Sequence, residues 1–154
     1  MFVGVGIGFN AISRKYSVSG AASVGMPIPL ADFETLEGVR VDLRQFQGHR
    51  LLVVFLDLEC GVCLDQLDRL TDIFLGHGEN LTGVVILPSN LGIQPAEMSH
   101  DYPFQIWIDS NSNTRKKFGN VRVPSFLFID HFGILRHKFT GTLNRNMIDS
   151  LGLF

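Results

Sequence analysis

The sequence predicts an α/β sandwich with a mixed central sheet, helices on both faces and a β-hairpin added on the N-terminal side. Three observations predict it. The run Leu51-Leu52-Val53-Val54-Phe55-Leu56 is continuous, apolar and rich in β-formers. It is too short for most helices and reads as a central strand buried on both faces. Beyond it the period changes: Cys63, Leu64, Leu67, Leu70, Ile73 and Phe74 recur at spacings of three and four, the stripe of an amphipathic helix. Residues 81–87 then form a second apolar run closed by Pro88. Strand, helix and strand in that order imply a parallel pair with a right-handed crossover, and such sheets place their sites at the carboxyl ends of the strands.

The other elements follow in chain order. The domain begins near Pro27 and Pro29. Residues 33–36 and 39–43 form a hairpin about the Glu37-Gly38 turn, with Val39, Val41 and Leu43 alternating on one face. The helix after Cys60 ends at Gly76 and Gly78. Residues 91–100 make a short, weakly helical connection and residues 104–108 a strand. Residues 109–113 are rich in helix-capping types, so 114–118 forms a short helix stopped by Gly119. Residues 121–129 read as a strand interrupted near its start by Pro124, and 134–139 pairs back on it through the turn at 130–133. Leu143, Met147, Ile148 and Leu151 mark a C-terminal amphipathic helix.

A length of 154 residues fits one domain with a substantial core. With 45% hydrophobic and 18% charged residues the chain is globular, and a net charge of -2 offers no nucleic-acid surface. Residues 1–12 are apolar and glycine-rich, and Arg14 and Lys15 follow them. Twelve residues are too few to span a bilayer, and the charge lies on the wrong side of the apolar run for an export signal. Residues 1–23 are therefore expected to be a flexible leader or a remnant of a signal or membrane anchor, with the folded domain at 24–154.

The only two cysteines stand as Cys60-Gly61-Val62-Cys63 at a strand-to-helix junction. Cys60 falls where unpaired N–H groups and the helix dipole favour a thiolate, the nucleophilic form of the sulfur. Cys63 lies about one turn further and deeper. This predicts that Cys60 forms a mixed disulfide with a substrate and that Cys63 resolves it. A zinc site would need two further ligands, with His131 and His137 as candidates. A structural disulfide closing so short a loop would constrain little chain entropy. Two inert buried thiols are the remaining alternative.

With these elements in place the chain from about residue 24 resembles the TlpA/ResA-like thioredoxin family, which is related to the peroxiredoxins. The resemblance rests on residues 29–38 as the opening hairpin, 41–48 as its second strand and loop, and residues 52–56 followed by the Cys60/Cys63 pair. It continues through Phe104-Gln105-Ile106-Trp107-Ile108-Asp109, Val123-Pro124-Ser125-Phe126 at a strand start and the turn at His131-Phe132-Gly133. It implies a thioredoxin-like three-layer sandwich and a thiol–disulfide oxidoreductase of protein substrates, supplied by a redox-partner protein. It implies no cofactor and no metal, an extracytoplasmic location with a cytoplasmic one as alternative, and a link to cytochrome c maturation. It also implies a cis bond between Val123 and Pro124 that brings the Val123 backbone beside Cys60 to pair with an extended peptide. A proline at a strand start gives up no N–H, and X-Pro bonds are those for which cis is accessible.

The chain departs from that family at two places beside the thiols. Val62 stands where proline is usual, so the reduction potential is not transferable. Glu59 stands where an aromatic residue is usual, and its carboxylate can oppose a thiolate at Cys60 or move a proton during resolution. Thioredoxin's buried acid is replaced by Val54, and Asp57 reads as a loop or helix-flanking charge. Two other activities compete. A thiol peroxidase is disfavoured because Asp57 occupies the position of the usual threonine and a carboxylate has the wrong charge for peroxide. A copper(I) chaperone would use both thiolates with a histidine as third ligand. The five histidines, at 49, 77, 100, 131 and 137, otherwise read as solvated or structural.

Overall fold

The computed structural model describes residues 22–77, 80–90, 98, 101–111, 113–119 and 121–150. These residues build a seven-stranded mixed sheet. Its strands are β1 (Phe33–Thr35), β2 (Arg40–Val41), β3 (Leu51–Phe55), β4 (Thr82–Pro88), β5 (Gln105–Asp109), β6 (Ser125–Ile129) and β7 (Leu135–Thr140). The spatial order is β2-β1-β5-β4-β3-β6-β7. Three helices flank it: α1 (Gly61–His77), α2 (Asn113–Lys117) and α3 (Arg145–Ser150).

The predicted sandwich and its N-terminal hairpin are present. β3 and β4 run parallel, with Leu51 opposite Thr82 and Phe55 opposite Ile86. β4 and β5 are also parallel, whereas β6 runs antiparallel to β3 and β7 to β6. All five residues of β3 are buried. Alternation sends Leu52, Val54 and Leu56 into one core with Leu67, Leu70, Ile73 and Phe74 of α1. Leu51, Val53 and Phe55 enter a second core with Phe33, Trp107 and Phe118, the residue that follows α2. Two separate cores explain why β3 carries no polar side chain.

The structure corrects the sequence expectations in several places. The hairpin is shorter, because Asp42 accepts a hydrogen bond from the Arg44 N–H and starts a 3₁₀ turn at Leu43–Phe46. Leu43 is buried from that turn, while Val39 at the hairpin tip is exposed. Leu64 faces solvent, so α1 buries a narrower stripe that includes Gln66. Gly76 lies inside α1. α2 does end at Gly119, whose φ of +88° suits a glycine after a helix. Residues 121–124 lie outside β6, and Leu143 precedes α3. Of the connection expected at 91–100 only Met98 is described, and it is buried; Leu151 lies outside the described residues. Ala22 is buried, and its N–H donates to the Lys117 carbonyl (2.8 Å).

Gly83 at the second position of β4 is required by close approach. A Cβ there would run into the Phe74 ring and stand 2.8 Å from Cβ of Phe104. Those two rings pack with centroids 5.9 Å apart beneath the sheet. Gly83→Ala is expected to destabilise the fold by about 1–3 kcal/mol through overpacking, read as a lower urea midpoint at unchanged slope.

Candidate active site

The site is built on the end of β3. The ladder runs one residue past the strand, where the Leu56 N–H donates to the Ile86 carbonyl (3.0 Å). The chain then turns sharply. Asp57 Oδ1 accepts the Glu59 N–H (3.0 Å), and the Asp57 carbonyl accepts the Cys60 N–H (3.1 Å). A short carboxylate that bonds the backbone two residues on is what such a turn needs. Cys60 is thereby placed immediately before α1, and its carbonyl accepts the Cys63 N–H in the first turn of the helix (3.0 Å). Cys60 thus stands at the N-terminal end of α1.

The two thiols are unequal. Both are free; Cys60 is half-buried and Cys63 is 1% exposed, inside the core beneath α1. Burial is the main reason that the Cys63 pKa is pushed up to about 12, and a hydrogen bond to the Cys60 sulfur adds to it. The nearby Asp57 backbone pulls the other way. Cys63 is therefore a neutral thiol across the physiological range.

Val123-Pro124 forms the cis bond that the resemblance implied. Its position follows from register: Phe55 pairs with Ser125, so the preceding Pro124 comes level with the start of the cysteine turn. Pro124 is buried, and Val123 packs against the same core as Cys60 and Cys63. The loop is held from three sides. Ser125 Oγ bonds the Arg122 carbonyl and lies 2.8 Å from Thr140 Oγ1, and the Gly141 N–H donates to the Pro124 carbonyl (2.9 Å). Two residues further on, the Leu143 N–H donates to Gln66 Oε1 (2.8 Å) in the core. The segment after β7 thus binds both the proline loop and the helix that carries Cys63. Sequence reasoning missed this segment and Gln66. The available signal was a polar residue standing on the apolar stripe of α1.

The remaining candidates take the following places. Gly61 and Val62 open α1 and are exposed, Val62 at 49%. With exposed Leu64 they give the thiols an apolar rim within one helical turn. Glu59 is exposed at the turn and Asp57 is half-buried with its carboxylate engaged. Val54 is fully buried, so the sheet beneath the pair is apolar. His131 lies in the β6–β7 turn at the far end of the sheet, because β6 runs away from the site, and its ring packs on Phe132 (4.0 Å between centroids). His137 stands opposite Phe128, three residues along β6 from Ser125. Neither joins the thiols. Among the described residues no group of three or more His, Cys, Asp or Glu is arranged to hold a metal ion.

A sheet, helix and dithiol disposed in this way define a thioredoxin-like dithiol protein. The family model for redoxin matches residues 23–151, and the chain belongs to the redoxin family. It is 18% identical over 146 residues to the thiol-disulfide oxidoreductase ResA of Bacillus cereus, covering 93% of this chain and 84% of that protein. It is 21% identical over 150 residues to ResA of Halalkalibacterium halodurans, covering 96% and 85%. Its fold matches that of the exposed lipoprotein thioredoxin of Streptococcus pneumoniae with a TM-score of 0.68 at 17% identity, covering 81% of this chain and 99% of the other. Family, fold and dithiol make the protein a thiol–disulfide oxidoreductase of the ResA type.

The burial asymmetry has a direct consequence. Iodoacetamide added to the reduced native protein between pH 7 and pH 9 is expected to label Cys60 alone, with Cys63 labelled only after unfolding, as read by peptide mass. The Cys63 thiol pKa is raised above its ordinary value of 9, so its stabilising contribution is complete below pH 9 and is lost as pH climbs towards 12.

Proposed function

We propose that the protein reduces disulfides in protein substrates, with Cys60 as the attacking thiol and Cys63 as the resolving thiol. The observation that carries this division is the contrast between an accessible sulfur at the start of α1 and a buried one a turn behind it. The Cys60 thiolate attacks one sulfur of the substrate disulfide. The Cys60–substrate bond forms, the substrate S–S bond breaks, and the departing substrate thiolate takes a proton. Cys63 then loses its proton and attacks the Cys60 sulfur. The intramolecular disulfide forms and the second substrate thiolate leaves and is protonated. The substrate gains two electrons and the dithiol loses two, to be restored by a redox-partner protein.

Specificity rests on backbone recognition. The Val123 backbone flanks the thiols and offers β-like pairing to an extended peptide, and exposed Val62 and Leu64 supply apolar contact. Gly61 leaves the approach to Cys60 open, since nothing lies within 4 Å of where its Cβ would stand. To Glu59, exposed beside Cys60, we assign uptake of the proton that Cys63 gives up during resolution.

Electron donation is the favoured direction. The location we assign is extracytoplasmic, supported by the resemblance to the ResA thiol-disulfide oxidoreductases and by a structural relative described as an exposed lipoprotein. Among the described residues no helix is long and apolar enough to cross a membrane.

Insulin reduction driven by dithiothreitol is expected to vanish in Cys60→Ser. Cys63→Ser is expected to retain the first attack and accumulate a mixed disulfide visible by intact mass; full turnover by Cys60→Ser would overturn the assignment. Equilibration with glutathione buffers is expected to place the midpoint of the pair below the glutathione potential. A midpoint well above it would make the protein an oxidant.

A further inference from the structure

A peptide that pairs with the Val123 backbone while its disulfide meets Cys60 touches two parts of the protein that are carried separately. Cys60 stands at the head of α1, and Val123 stands on the loop before β6. The ladder between β3 and β6 fixes only the roots of these parts, since it ends where Phe55 pairs with Ser125. Beyond that pair the cysteine turn and residues 121–124 extend past the sheet. The spacing between them needs a further tie.

The segment after β7 supplies it. Gly141 leaves the strand with a φ of +125°, a conformation that favours glycine, and the chain turns towards α1. Successive contacts follow. Thr140 Oγ1 lies 2.8 Å from Ser125 Oγ, and the Gly141 N–H donates to the Pro124 carbonyl (2.9 Å). The Leu143 N–H then donates to Gln66 Oε1 (2.8 Å). The first contacts grip the proline loop and the last grips α1. Gln66 follows Cys63 by three residues on the buried side of the helix and is 1% exposed. An amide on that face costs desolvation that an apolar side chain would not. It provides an acceptor for a backbone N–H that the core would otherwise leave unpaired.

We propose that Gln66 is a positioning residue for peptide recognition: through Leu143 and Gly141 it ties the Val123–Pro124 loop to the helix that begins beside Cys60, and so sets the spacing between the peptide-pairing backbone and the attacking sulfur. Without the Gln66 acceptor the Leu143 N–H is left buried and unpaired. The segment then shifts to reach water, and the Gly141 N–H is drawn away from the Pro124 carbonyl. An extended peptide is sensitive to that shift, because it engages the loop backbone and the sulfur together. A small disulfide makes no pairing with the loop and reports Cys60 alone. The inference rests on the proposed pairing of substrate with the Val123 backbone and on Cys60 as the attacking thiol.

The test offers two disulfides to one thiol. The reduced protein is mixed under stopped flow with dithiobis-nitrobenzoate, or with an extended peptide whose cysteine carries the same aromatic thiol in a mixed disulfide. Attack by Cys60 forms a bond to one sulfur of the disulfide and expels the coloured thiolate, so the first release reports that attack in both reactions. The ratio of the peptide rate to the small-disulfide rate is expected to fall about tenfold in Gln66→Leu, a loss of the size one hydrogen bond supplies. A ratio at the wild-type value, whether both rates hold or both fall together, would overturn the proposal and leave Gln66 a packing residue. Should Gln66→Leu fail to fold, Gln66→Asn is read by the same criterion, because one methylene less withdraws the acceptor while keeping the amide. A wild-type ratio no higher than that of free glutathione would instead refute the pairing at Val123, and this inference with it.

Discussion

The end of β3 is the constraint on which the rest of the site depends. A strand buried on both faces has fixed neighbours on every side: β4 and β6 along its edges, α1 on one face and the Phe33–Trp107–Phe118 core on the other. Where it stops, the peptide groups of Leu56 and Asp57 are already oriented by the ladder and by packing. The cysteine turn inherits that orientation. A loop anchored at only one end would leave Cys60 to find its place; here the strand, the Asp57 turn and the first turn of α1 leave it little freedom.

The proline loop obeys the same logic from the neighbouring strand. Because β6 is antiparallel to β3, its first residue lies at the last residue of β3, and the loop preceding it arrives beside the thiols. The segment after β7 then closes the arrangement by bonding Pro124 on one side and Gln66 on the other. Three elements distant in sequence thus meet around two sulfurs, joined by a backbone hydrogen bond at Pro124 and by the side chain of Gln66.

The chemistry of the pair comes from an unequal environment acting on identical groups. One sulfur belongs to a half-buried residue at the start of α1; the other is enclosed by Val54, Leu67 and their neighbours. Enclosure keeps Cys63 protonated and silent until a mixed disulfide forms on Cys60. A buried thiol must nevertheless ionise within one catalytic cycle, so the polar groups that reach its sulfur carry unusual weight.

The amino-acid sequence by itself determined the layers and the reactive pair. Uninterrupted β-formers at 51–56, the three-and-four spacing from Cys63 to Phe74 and the position of Cys60 between them follow from local periodicity, which each segment carries alone. Val123-Pro124 was legible through a resemblance resting on its neighbours in the chain. Tertiary structure alone decided which sides of those segments are covered. Leu64 fits the apolar period yet faces solvent, because among the described residues no element packs over that edge of α1; Gln66 breaks the period yet is buried, because the Leu143 N–H needs an acceptor there. The grip of Arg115 on Leu56 likewise has no signature in either segment, since the two residues meet only when α2 docks on the sheet. Periodicity describes how a segment repeats along itself, whereas a hydrogen bond across 59 or 77 residues depends on where the folded chain returns.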